Sequence, residues 1–185
     1  TNAYRIQLFL QTEPHGKSVE RIASIERAGE PGFGGVMTTG DLNGDGADEL
    51  IAAAANVENR VQAVYVYDVA GLVPEELDAG ASPAVEPEPI AVIVPQEGVL
   101  DVECGAACDF GTALAVGDIA TDDGTPELIV GAPGASVDGT DESGAVYVYR
   151  GTEVYGGAAQ PAGQVSNSTP KKGERFGGGL AVAPM

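Results

Sequence analysis

A phenylalanine–glycine pair opens three stretches of this chain, and the residues after the pair recur in the same order. Phe33-Gly34 begins FGGVMTTGDLNGDGADELIAAAA and continues to QAVYVYD, while Phe110-Gly111 begins FGTALAVGDIATDDGTPELIVGAP and continues to GAVYVYR. Phe176-Gly177 begins a third stretch, FGGGLAVAP. The openings stand 77 and 66 residues apart. The order within a unit is constant: aromatic-Gly, short apolar strand, Gly-Asp, acidic turn, Glu-Leu-Ile strand, Val-Tyr-Val-Tyr. Such a recurrence means one supersecondary unit used repeatedly, each copy burying its apolar faces against its neighbours.

The units read as strands. Ala63 to Tyr67 and Ala145 to Tyr149 are β-branched and aromatic, and too short for helices. Pro89 to Val94 is expected as the fourth strand of the first unit, and Ala162 to Val165 as that of the second. Tyr4 to Gln11 and Ser18 to Arg27 read as the last two strands of a preceding unit. Val73 to Pro89, rich in Pro, Glu and Ala, reads as an extended loop insertion. Gly (27) and Pro (12) interrupt long helices. With no Trp and 5% aromatics, the core must rest on Val, Ile, Leu and Ala.

The expected class is therefore all-β, and a four-stranded unit suits a β-propeller blade. Propellers use four to eight blades, and about 70 residues per blade gives only about 2.6 here. The expectation is a piece of a longer chain, or a subunit whose open edges pair with other blades. A β-sandwich of the same strands is the alternative. The division expected is 1–30 for the end of a preceding blade, 31–98 and 99–170 for two blades, and 171–185 for the start of another.

Charge narrows the function. The chain carries 28 Asp+Glu against 9 Lys+Arg, a net charge of -19. From Val61 to Tyr149 there are 17 acidic residues and no Lys or Arg. A surface that neutralises phosphates needs clustered Lys and Arg, so nucleic acid is excluded as a partner. The uncharged apolar runs Leu50 to Ala55 and Ile90 to Val94 are too short to span a bilayer.

One acidic loop has metal-ligand spacing. In Asp41-Leu42-Asn43-Gly44-Asp45-Gly46-Ala47-Asp48-Glu49, oxygen-bearing side chains alternate at Asp41, Asn43 and Asp45. Gly46 allows the sharp turn that brings in the carbonyl of Ala47, and Glu49 closes the shell. Hard oxygen ligands without Cys or His select Ca²⁺ over zinc or copper. An EF-hand would place a bidentate Glu where Ala52 stands, and would flank the loop with helices rather than strands. The alternative is an acidic turn closed by Asx hydrogen bonds, with no ion. The second unit has one residue inserted and Ala120 at the third position. Asp118, Asp122, Asp123 and Glu127 could still enclose an ion there, again with an acidic turn as the alternative. Pro184 stands where the first Asp of a third loop would fall.

Phe33-Gly34, Phe110-Gly111, Phe176-Gly177, Gly131-Ala132-Pro133 and the nine-residue loop together resemble the FG-GAP repeats of integrin α-subunit propellers and related extracellular proteins. The resemblance covers about residues 30–70 and 108–151 well. It implies a propeller blade per repeat, calcium in the hairpin between the first two strands, and a partner docked on the opposite face. Asp41, Asn43, Asp45, Ala47 (by its carbonyl) and Glu49 would be ligands. The first unit departs from the pattern, with Ala53-Ala54-Ala55 in place of Gly-Ala-Pro.

Cys104 and Cys108 are the only cysteines. Without a histidine they cannot make a zinc site, and their spacing is not the C-x-x-C of a redox pair. A structural disulfide, pointing to an oxidising compartment, is preferred over two buried thiols. His15, the sole histidine, sits in a turn with no nucleophile elbow to serve. The expected function is a non-catalytic, calcium-binding module, secreted or at the cell surface, that holds a protein or glycan. A propeller domain of a polysaccharide-active enzyme and a purely structural repeat are the alternatives.

Overall fold

Apolar residues run without alternation through Leu50–Ala54 and Ala63–Tyr67, so strands made of them need cover on both faces. The computed structural model describes residues 3–11, 19–55, 62–72, 87–95, 102–104, 108–119 and 124–183. It supplies that cover by stacking sheets in chain order. His15, Pro184 and most of the insertion after Val73 lie outside the described residues.

Strands β1 (Ala3–Gln11) and β2 (Val19–Ala28) form an antiparallel hairpin whose register shifts between Leu8 and Phe9. Next come β3 (Met37–Gly40), β4 (Glu49–Ala55), β5 (Gln62–Tyr67), a 3-10 turn at Ala70–Leu72 and β6 (Ala91–Ile93). These strands pair in the order β3-β4-β5-β6, an antiparallel meander that is blade 1. The rest of the chain gives β7 (Val102–Glu103), β8 (Ala113–Gly117), β9 (Glu127–Ala132) and β10 (Ser136–Val137). It ends with β11 (Ala145–Arg150), α1 (Gly151–Tyr155) and β12 (Gly163–Val165). Blade 2 is the meander β8-β9-β11-β12, while β7 and β10 pair as a separate ribbon. Both fourth strands fall within the segments expected from the sequence. The helix and the ribbon carry too few residues for a periodic signal, and the sequence did not announce them.

Successive residues of β4 and β5 serve two different cores. Ile51, Ala53, Val64 and Val66 pack with Phe110, Leu128, Val130, Tyr147 and Tyr149 of blade 2. Leu50, Ala52, Ala54, Tyr65 and Tyr67 pack on Ile6 and Ile25 of the hairpin. Beyond blade 2, Ala115, Ile129 and Val146 meet Phe176, Leu180 and Val182 of the third unit. A two-layer sandwich would leave one face of each sheet to solvent. Blade 1 is buried on both, so the chain is a row of stacked propeller blades.

The repeated residues hold this stack. Phe33 meets the Tyr65 ring edge-on at 5.8 Å, and Phe110 meets Tyr147 in the same way at 5.7 Å. In both blades the aromatic that opens the unit thus packs on a tyrosine of its own third strand. The glycine that precedes each acidic loop has a different task. A Cβ on Gly40 would overlap Val116 of blade 2, and one on Gly117 would overlap Val182 of the third unit. Close approach of neighbouring first strands therefore demands glycine at the same place in both units.

Candidate metal centre

The loop between β3 and β4 is drawn closed by its own carboxylates. The β3–β4 ladder ends at the Gly40–Glu49 pair, so Asp41 leaves one strand beside the start of the other. The Asp41 carboxylate accepts the Gly44 and Asp45 amides on Oδ1, at 2.7 and 3.1 Å, and the Gly46 amide on Oδ2 at 2.8 Å. Asn43 Oδ1 accepts from the Asp45 amide, and Asn43 Nδ2 donates to Asp45 Oδ2. Asp45 Oδ1 takes the Ala47 amide, and Glu49 Oε2 takes the Leu42 amide at 2.7 Å. Gly46 adopts φ 91°, a conformation costly for residues bearing a Cβ. Asp48, the one acidic residue of the loop not expected as a ligand, is exposed.

These hydrogen bonds organise a concentration of negative charge. Amide donors, that of Gly46 foremost, hold the Asp41 carboxyl below its ordinary range. Glu49 is only 2% exposed. Burial first, and then the charges of Asp45, Asp41 and Asp68, push its carboxyl up against the opposing Leu42 amide. Asp68 escaped sequence reasoning because it lies nineteen residues beyond Glu49, at the end of another strand. The pairing of Leu50 with Tyr67 brings it alongside. Tyr155 was also missed: its hydroxyl donates to Asp68 Oδ2 at 3.3 Å. The Asp68 charge raises the Tyr155 phenol above its usual range.

The second loop repeats the anchors of the first despite its inserted residue. Glu127, 4% exposed, accepts the Ile119 amide at 2.9 Å, as Glu49 accepts that of Leu42. Asp118 Oδ2 accepts the Gly124 amide at 2.8 Å, as Asp41 Oδ2 accepts that of Gly46. Asp118 Oδ1 is buried and meets no hydrogen-bond partner among the described residues. Asp122 and Asp123 lie outside the described residues.

Among the described residues, no three His, Cys, Asp or Glu side chains gather into a metal-holding group. The first loop has the hydrogen bonds of an Asx-closed turn. Its donor chemistry nevertheless fits a hard cation, because every candidate atom is an oxygen and carboxylate oxygens carry more than one lone pair. The charges of Asp45, Asp41 and Asp68 bear on the buried Glu49 carboxyl, a concentration of negative charge whose chemistry suits a hard cation. The orphaned Asp118 Oδ1 fits in the same sense.

Away from the loops, Cys104 and Cys108 form a disulfide with a Cα–Cα distance of 5.0 Å, both residues lying in the shared core. Cys104 directly follows β7, and the Cys108 carbonyl accepts the Gly134 amide at 2.9 Å. At the end of the blades opposite the acidic loops, a shallow cavity of about 180 Å³ opens between the two units. Pro31, Gly32, Ala54, Gln62, Phe110 and Gly111 are among its walls.

The pairs Phe33-Gly34 and Phe110-Gly111 thus open equivalent blades, with equivalent anchors in the loops that come after them. The FG-GAP repeat family model matches residues 33–67 and 110–149, the cores of these two blades. Both units are FG-GAP repeats. Over a longer stretch, the chain is similar to two mammalian proteins. Phosphatidylinositol-glycan-specific phospholipase D of Mus musculus is 35% identical over 128 residues, which is 65% of this chain and 13% of that protein. Its counterpart from Homo sapiens is 34% identical over 136 residues, 70% of this chain and 14% of that protein. The FG-GAP chain therefore spans a small part of the length of these relatives. Among the described residues of the FG-GAP blades, no helix is long and apolar enough to cross a membrane.

Proposed function

We propose that these blades form a calcium-stabilised, non-catalytic interaction module that works outside the cytoplasm. Asp41, Asn43, Asp45, the Ala47 carbonyl and Glu49 hold one ion. Asp118 and Glu127, with Asp122 and Asp123, hold a second. The ion supplies charge neutralisation to a loop whose buried Glu49 otherwise lies among the charges of other carboxylates. The observation that carries this reading is the recurrence of a buried loop-closing glutamate, Glu49 and Glu127, on the same backbone amide of both loops. The disulfide supports an oxidising location. The cavity between Gly32 and Phe110 supports a protein or glycan partner at the end of the blades away from the ions.

Thermal unfolding in excess EDTA and in millimolar Ca²⁺ tests the metal. A ligand that binds only the folded form at about 100 times its Kd stabilises by about 2.7 kcal/mol. A melting temperature that does not respond to Ca²⁺, or responds equally in wild type and Glu49→Gln, overturns the reading.

A second reading is favoured by the phospholipase relatives: the module is the propeller portion of a larger enzyme that acts on a phosphatidylinositol-glycan. In that setting the blades still bind rather than catalyse. Pull-down of glycan-bearing lipid vesicles by the isolated blades, with bare vesicles as control, separates the two readings.

A further inference from the structure

The seam between blade 1 and blade 2 is held more open than the seam that follows it, and two side chains account for the difference. Counted from the Leu50–Tyr67 and Leu128–Tyr149 pairs, Ala53 stands where blade 2 has Gly131, and Gln62 where it has Gly144. At the second seam a Cβ on Gly131 would overlap the Gly177 carbonyl oxygen, and one on Gly144 would overlap the Phe176 backbone. Bare glycines there let Phe176-Gly177 of the third unit lie directly on blade 2. At the first seam the Ala53 methyl and the Gln62 side chain stand in that path, and Phe110-Gly111 is kept at a distance. The cavity of about 180 Å³ walled by these four residues is the space that results. Its rim differs too. Across the second seam the Arg175 guanidinium pairs with Asp109 and lies 3.7 Å from Glu142. At the first seam Gly32 stands in the place of Asp109, so a clasp of this kind has no side chain to form on.

The walls decide what such a space can hold. Among the described residues they are apolar except for Gln62 and Thr112, and the Thr112 hydroxyl already donates to the Asp109 carbonyl. Sugar hydroxyls buried there would leave water for few partners. Pockets that bury a small-molecule ligand run to roughly 300–1,000 Å³, so this smaller one suits a single anchoring side chain. Charge narrows the choice again. Glu30 and Asp109 immediately precede the wall residues Pro31 and Phe110, and no Lys or Arg is a wall residue. One Glu30 oxygen, Oε2, is buried and meets no hydrogen-bond partner among the described residues. The stretch from Val61 to Tyr149, which supplies Gln62, Phe110 and Thr112, carries 17 acidic residues and no Lys or Arg.

We propose that this cavity is an anchor pocket for one apolar side chain of a cationic protein segment, and that Ala53 and Gln62 are the residues that create it. The inference rests on the reading of the blades as an interaction module and narrows its partner from protein or glycan to a basic peptide stretch. Complementary charge brings that stretch to the seam, and the buried side chain holds it there. The departure of blade 1 from the Gly-Ala-Pro pattern thus leaves a pocket where blade 2 has a close seam.

The test uses the full chain with ¹⁵N-labelled amides and the end-blocked tripeptide Lys-Leu-Lys as probe. Lys-Gly-Lys removes the anchor, Glu-Leu-Glu reverses the charge, and N-acetylglucosamine stands for a glycan. Lys-Leu-Lys is expected to shift the Ala53, Ala54, Gln62, Gly111 and Thr112 amides. It is expected to bind about tenfold or more tightly than either control peptide, the effect of burying one apolar side chain. The double variant Ala53→Gly/Gln62→Gly, which restores the glycines of blade 2, is expected to abolish that preference. Thr112→Phe fills the cavity from an exposed wall position and serves as a second blocking variant if the added glycines unsettle the strands. Equal binding of Lys-Leu-Lys and either control peptide overturns the inference, as does a preference that survives in both variants. If only N-acetylglucosamine shifts these amides, the inference falls while the module reading stands with a glycan partner. If no probe shifts them, the inference falls together with the support the cavity lends to a partner, and the calcium part of the reading is still decided by its own melting test.

Discussion

Arg150 stands directly opposite Glu127 across the β9–β11 ladder, whereas in blade 1 the ladder ends at the Leu50–Tyr67 pair and Asp68 follows beside Glu49. Two loops that share a buried glutamate and its amide anchor thus differ in what faces that glutamate. In blade 2 the facing side chain is a cation, itself bridged to Glu153 at 3.2 Å. In blade 1 it is another acid. Like charges brought together in a buried setting raise one another's proton affinity, and an external cation relieves them. The blade 1 loop is therefore expected to gain more than the blade 2 loop from a bound cation.

This asymmetry sets a pH dependence. The Glu49 carboxyl is held above its ordinary value of 4.5 in the folded protein. A carboxyl raised on folding contributes its full stability below the unfolded value and loses it as pH rises through the folded one. Metal-free protein is therefore expected to lose stability from this residue as pH rises above its ordinary value of 4.5. Glu49→Gln, which keeps an oxygen for the Leu42 amide, is expected to flatten that part of the profile. Urea denaturation in EDTA at pH 4.5 and 7 measures it, and an unchanged slope contradicts the assignment. Added Ca²⁺ is expected to reverse the trend in wild type only.

Contact between Gly40 and Val116 predicts a coupled pair. Gly40→Ala forces a methyl into Val116 and is expected to cost about 1–3 kcal/mol. Val116→Ala makes room, so the double variant is expected to be more stable than the sum of the single losses predicts. Strict additivity in a denaturation cycle would remove the blade-to-blade contact from the account.

Phe110 and Phe176 occupy the same place in consecutive units but differ in cover. Phe110 is 1% exposed and packs on Tyr147, whereas Phe176 is half-buried at the margin of the third unit. Phe110→Ala is expected to cost about 3–5 kcal/mol, and Phe176→Ala distinctly less. Equal losses by chemical denaturation would contradict the stacking order.

Reduction of the Cys104–Cys108 disulfide releases a small loop beside the β7–β10 ribbon. The expected loss is about 2 kcal/mol, since short loops constrain the unfolded chain least. Unfolding with and without dithiothreitol measures it. A loss of most of the protein's stability would mean that the bridge supports the shared core rather than one ribbon.

Much of the blade architecture was legible because it is local and recurrent. Phe33 and Phe110, the Gly-Asp steps and the Val-Tyr-Val-Tyr strands each carry a short-range signal, and their repetition multiplies it. The loop anchors Asp41 and Glu49 were legible through spacing alone. In the second loop the inserted residue obscured an equivalence that hydrogen bonds to Ile119 and Gly124 restore. Helix α1 was not legible, because Gly151 to Tyr155 is shorter than the period that announces a helix.

Residue order alone was enough to define a chain of repeated four-stranded units with oxygen-rich hairpins and a cysteine pair, since each of those features lies within a few residues of itself. Folding in three dimensions decided which faces meet, that Asp68 lies beside Glu49, and that a tyrosine of one blade bonds that acid of the other. Those relationships join positions far apart in the chain, 87 residues for Tyr155 and Asp68. Strand register and sheet stacking bring such groups together, and neither is written in local composition.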